Sequence, residues 1–77
     1  MNIRIRAIGD FTRYSYPMWQ WVTVETEPGT TLEKLLGQVG IERGEVGPAT
    51  VNGSLSEMEI VLQEGDSVQA FSPVGGG

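Results

Sequence analysis

The chain contains no cysteine and no histidine. Without cysteine there is no disulfide to staple a small fold, no thiolate to hold a metal and no thiol nucleophile. Without histidine the usual acid–base group at neutral pH and the commonest metal ligand are missing, and no serine has an imidazole to activate it. Lysine occurs once, as Lys34, and no glycine cluster, the Gly40–Gly44 pair included, carries the Lys and Ser or Thr of a phosphate loop. Long apolar runs are lacking too. The start, "MNIRIRAIGD", has no signal-peptide stretch, and no segment reaches the roughly 20 residues of a membrane span, so a soluble, cytoplasmic protein without a membrane partner is expected. Basic residues are scarce: five against ten acidic, a net charge of −5. That balance argues against nucleic acid, which needs a basic stripe, and favours a basic protein surface as partner. Arg4, Arg6 and Arg13 leave room for a local basic patch near the start. Self-contained catalysis is not expected.

What is present reads as one small domain. Seventy-seven residues bury only about 60% of the unfolded chain's surface, so the core must be economical. Residues 2–8 alternate, with Ile3, Ile5 and Ala7 on one face and Arg4 and Arg6 on the other, the period of a half-buried strand. After a loop containing Pro17, "WQWVTVET" is rich in β-branched and aromatic residues and predicts a second strand paired with the first as a hairpin. Pro28-Gly29 marks a turn, and Thr30-x-x-Glu33 has the spacing of a capping box. Leu32, Leu35, Leu36 and Val39 then form one apolar stripe of a helix, closed by Gly40. "ATVN" predicts a short strand running into the Asn52-Gly53 turn. "MEIVL" fits either a short strand or one helical turn, and "SVQAFS" alternates as the closing strand. The expected class is α+β: a mixed sheet of four to five strands with one helix on one face. The other face, bearing Arg4, Arg6, Gln69 and Phe71, is free for a partner.

Few constellations carry chemistry. Glu57 and Glu59 would share a strand face and could in principle act as paired carboxylates, but surface acids are ordinary. Phe11, Tyr14, Tyr16, Trp19 and Trp21 form an aromatic cluster with two readings, cross-strand packing or an interface. The ending, Phe71-Ser72-Pro73-Val74-Gly75-Gly76-Gly77, offers no side chain beyond Val74. Its three glycines could be slack at a terminus. They could equally be a slender arm, reaching roughly 10 Å at 3.3–3.6 Å per extended residue and fitting a channel that would reject any Cβ.

That ending resembles the Phe-Pro-Pro-Val-Ala-Gly-Gly tail of the ThiS/MoaD group of small, ubiquitin-like sulfur carrier proteins. The upstream "LQEGDSVQAF" is similar to that family's Leu-x-x-Gly-Asp-x-Val segment, and Val51-Asn52-Gly53 matches its turn. Ser72 stands where the molybdopterin-synthase small subunits often have a proline, and Gly75 replaces a usual alanine. The resemblance implies a β-grasp domain over residues 1–74 with a glycine tail over 75–77. It implies that an E1-like enzyme, using ATP and Mg, adenylates the Gly77 carboxylate, and that a sulfurtransferase or other sulfur donor turns it into a thiocarboxylate. Gly75 and Gly76 would insert into a partner's active site, with Phe71, Pro73 and Val74 meeting the partner. That partner would be the larger catalytic subunit of molybdopterin synthase, or alternatively thiazole synthase or a tRNA-thiolation system. The chain itself would be a carrier and not an enzyme, binding no cofactor of its own. A ubiquitin-like modifier conjugated to lysines would use the same terminus.

Overall fold

The computed structural model of the chain describes residues 1–73. Five strands and one α-helix run in the order β1 (Asn2–Ile8), β2 (Val22–Glu25), α1 (Leu32–Gln38), a 3-10 turn (Arg43–Glu45), β3 (Ala49–Val51), β4 (Ser54–Leu55) and β5 (Ser67–Phe71). They form a single sheet in the order β2-β1-β5-β3-β4. The β1–β2, β3–β4 and β3–β5 pairs are antiparallel, and the central β1–β5 pair is parallel. A parallel pair needs a long crossover, and the chain between β1 and β5 supplies it, carrying α1 over one face.

The core is built as the alternation predicts. Ile3, Ile5 and Ala7 of β1, Val24 of β2, Ala49 and Val51 of β3, and Val68 and Ala70 of β5 are buried in one cluster with Leu32, Leu35 and Leu36 of the helix and Val39 at its C-cap. Phe11, Ile41 and Leu62 from the connections complete the same cluster. Gly40 follows with φ +96°, the left-handed value that ends a helix cheaply only for glycine.

Three local expectations are corrected. The helix cap is Thr31, not Thr30: the Thr31 hydroxyl accepts the Lys34 amide at 3.3 Å. Thr30 is instead buried, accepting from Thr26 Oγ1 at 2.9 Å and donating to the Glu27 carbonyl at 2.6 Å. Strand β2 starts at Val22 because Trp19 sits at φ +68°, a turn conformation in which its amide donates to the Ala7 carbonyl at 2.8 Å. "MEIVL" makes neither strand nor helix, only an isolated bridge between Val61 and Thr31. Glu57 and Glu59 therefore share no strand face, and Glu59 pairs with Arg43 at 3.1 Å.

The two motifs around the closing strand meet in space. Asn52 and Gly53 have φ of 53° and 85°, the values of a tight hairpin turn between β3 and β4. The Asn52 side chain donates to Asp66 Oδ1 and accepts the Ser67 amide, both at 2.9 Å. Asp66 Oδ2 accepts the Gln63 amide at 2.8 Å. One polar clasp thus ties the Val51-Asn52-Gly53 turn to the Gly65-Asp66 turn, which is a structural reason for both motifs to occur in one chain.

Candidate functional site

The open face of the sheet is laid out in rows by the strand register. Leu55, Thr50, Gln69 and Arg6 stand side by side across β4, β3, β5 and β1. Ser67, Arg4 and Thr23 form the row on one side, and Phe71 and Ile8 the row on the other. Arg6 donates to Gln69 Oε1 from Nε at 3.2 Å and from Nη2 at 2.6 Å. Arg4 Nη1 donates to Ser67 Oγ at 3.3 Å. Trp21, just before β2, lies on this face, with the Arg4 and Arg6 guanidinium carbons 4.5 and 4.8 Å from its ring centroid.

The aromatic cluster of the hairpin therefore divides. Phe11 is core. Tyr14 and Tyr16 meet edge-on, with centroids 5.7 Å apart, in the packing role expected of neighbouring rings. Burial raises the Tyr14 phenol above its ordinary value of 10.0, and the nearby Tyr16 adds to the rise. Trp21 braces two arginines. Trp19 is 63% exposed.

Beyond Phe71 the chain is gripped at its root. The Phe71 amide donates to the Pro48 carbonyl at 3.0 Å, and the Phe71 carbonyl accepts the Gly47 amide at 2.8 Å. On the other side the Ser72 amide donates to the Ile8 carbonyl at 3.0 Å. The departure at Ser72 has a consequence here, since a proline has no N–H for that bond. Two glycines make the grip close. A Cβ at Gly9, which has φ +122°, would overlap the Ser72 side chain, and one at Gly47 would sit 3.1 Å from Pro73 Cα. Gly9, Gly47 and Pro48 were not singled out from the sequence as site residues. A Gly-Pro pair just ahead of a short strand is the signal that points to the last two.

Phe71 is half-buried on the open face and Pro73 is exposed, beside each other at the end of the central strand. Val74, Gly75, Gly76 and Gly77 lie outside the described residues. Among the described residues there is no pocket, no group of three or more acidic, histidine or cysteine side chains able to hold a metal, and no helix long and apolar enough to cross a membrane. The described part of the site is thus a surface and the gripped residues that lead into the ending.

Two comparisons bear on what this arrangement is. Over its whole length the chain superposes on the whole of the protein in the crystal structure of SAMP1 from Haloferax volcanii, with a TM-score of 0.69 at 17% identity. That likeness establishes the ubiquitin-like β-grasp fold. No curated protein matches the chain by sequence. The ThiS family model matches residues 20–77, from the hairpin through the glycine ending. With the strand order, the clasped turns and the gripped root all within or against that span, the chain belongs to the ThiS family of ubiquitin-like sulfur carrier proteins.

Proposed function

We propose that the chain carries sulfur on its C-terminal Gly77 as a thiocarboxylate, acting as the small subunit of a molybdopterin synthase. The observation that carries the reading is the family match over residues 20–77, which takes in the ending. A carboxylate is a poor acyl donor until one oxygen becomes a good leaving group. An E1-like enzyme would supply that by transferring AMP from ATP to Gly77, with Mg among its needs and pyrophosphate leaving. A sulfur donor would then displace AMP. Phe71, Pro73 and Val74 would meet the partner while Gly75 and Gly76 pass through a channel too narrow for side chains. The chain would supply the reacting carboxylate and its partners the catalytic groups.

The grip at Phe71 and Ser72 supports this reading mechanically. An arm delivered into another protein's active site works best from a fixed base, because every residue of slack lowers the concentration of its tip at the target. The choice of molybdopterin rests on the Phe71-x-Pro73-Val74-x-Gly76-Gly77 spacing. A thiamine thiazole carrier is the second reading, on the Asn52-Gly53 turn.

Incubating the purified chain with an E1-like enzyme, ATP and a sulfur donor should exchange one terminal oxygen for sulfur, read by intact-mass spectrometry. A variant lacking Gly76 and Gly77 should fold normally and show no exchange. Absence of the mass change in every reconstituted system would overturn the proposal. Growth rescue in strains lacking either the molybdopterin or the thiamine carrier decides between the two pathways.

A further inference from the structure

Arg4 and Arg6 are unusual among the arginines of this chain. Arg13 pairs with Glu42 at 3.8 Å, and Arg43 pairs with both Glu33 and Glu59. Arg4 and Arg6 have no carboxylate within ion-pair distance among the described residues; their acceptors are the neutral Ser67 and Gln69. Acids outnumber bases ten to five in the chain, so leaving two neighbouring arginines without a counter-charge is not a matter of supply. Trp21 holds both in place by stacking. Contact through the flat face leaves N–H groups free. Gln69 takes the Nε–Nη2 edge of Arg6 and Ser67 takes Nη1 of Arg4, so the Nη1 end of Arg6 and the Nε–Nη2 edge of Arg4 remain for bonds to a carboxylate.

The surroundings define the shape of the missing anion. Beyond Arg4 the next row of the sheet pairs Asn2 with Glu25, and the Asn2 amide donates to Glu64, so the basic patch stops at acidic neighbours. A nucleic-acid backbone carries regularly spaced charge and would run from the patch into those carboxylates, whereas a short acidic segment would not. On the other side lie apolar groups: Leu55, 77% exposed at the end of the Arg6 row, and the half-buried Phe71 and Ile8.

We propose that this face docks an acidic segment of a protein partner, with carboxylates bonded to Arg4 and Arg6 and aliphatic side chains against Leu55 and Phe71. The net charge of −5, which points the molecule as a whole toward basic partners, then serves orientation. The acidic excess disfavours an acidic segment over most of the surface and so favours a pose centred on the two arginines without partner carboxylates. The inference uses the open face alone, so it stands or falls separately from the chemistry of Gly77.

The test is a titration of the 15N-labelled full chain with three probes: a short glutamate-rich peptide with interspersed leucines, its glutamine counterpart, and a single-stranded oligonucleotide. The glutamate peptide should shift the signals of Arg4, Arg6, Gln69 and the Trp21 indole. Its affinity should fall about tenfold in the R4Q/R6Q double variant, the scale of a lost charge-assisted hydrogen bond. Arg6→Lys should lose at least about threefold despite keeping its charge, because the fork and the stack are lost. Arg13→Gln should bind as the parent does, which controls for bulk charge. The amide spectrum of each variant reports whether it has folded. Equal binding of the glutamine peptide, an equal loss in Arg13→Gln, or tighter binding of the oligonucleotide at the same residues would each overturn the proposal.

Discussion

At the scale of single residues, Tyr14 shows how an aromatic position can be read for its type and missed for its environment. Its hydroxyl is buried and has no hydrogen-bond partner among the described residues, and burial, with Tyr16 second, raises its pKa from 10.0. A raised value means that the folded chain holds the proton more tightly than the unfolded chain does. The associated stability is present in full below the unfolded pKa and is lost as pH rises through the folded one. Urea melts should therefore show the parent losing stability above about pH 10 more steeply than Tyr14→Phe. At neutral pH the variant should be at least as stable, because an unpaired buried hydroxyl is costly. Parallel pH profiles would refute this. The sequence supports an aromatic cluster around residues 11–21, but composition does not say which ring is core, which braces arginines and which faces water. Those roles depend on the turn at Trp19, whose φ of +68° no local pattern signals.

At the scale of elements, α1 was legible in its apolar stripe and misread in its first residue. Two threonines stand together at 30 and 31, both chemically able to cap, and it is the turn over residues 26–30, closed by the Thr30 hydroxyl on Thr26 and Glu27, that turns Thr30 to the interior. The glycines near the helix end divide by conformation. A Cβ at Gly37 would meet nothing within 4 Å, whereas one at Gly40, at φ +96°, would strike the Arg13 carbonyl. Gly37→Ala should therefore raise stability by about 0.5–1 kcal/mol and Gly40→Ala should lower it, measured by chemical denaturation. A destabilised Gly37→Ala would mean that the helix needs flexibility there. The 57–62 segment was beyond sequence reading for a different reason. Met58, Ile60 and Leu62 all face the core, a spacing of two that suggests a strand. Yet among the described residues the segment finds no neighbouring strand beyond the single Val61–Thr31 bridge, and pairing is not written in a periodicity.

At the scale of the whole molecule, the alternation of β1 and β5 and the helix stripe between them were enough to anticipate a mixed sheet covered on one face. The grip on the tail was not, because it joins Gly9, Gly47 and Ser72 from three distant parts of the chain. Strand β5 is the piece on which the sheet depends: β1 and β3 are both bonded to it and not to each other. A chain ending at Asp66 should lack a cooperative unfolding transition and a dispersed amide spectrum, while one ending at Pro73 should keep both. A dispersed spectrum from the shorter chain would show that the hairpins hold together without it. The central place of β5 also sets a schedule. During synthesis Arg4 waits for Ser67, 63 residues later, or about 3–13 s at 5–20 residues per second. Until then neither the neutral acceptors beside the two arginines nor the grip on Ser72 exists. The β5 side of the open face and the hold on Ser72 are thus completed in the same folding event.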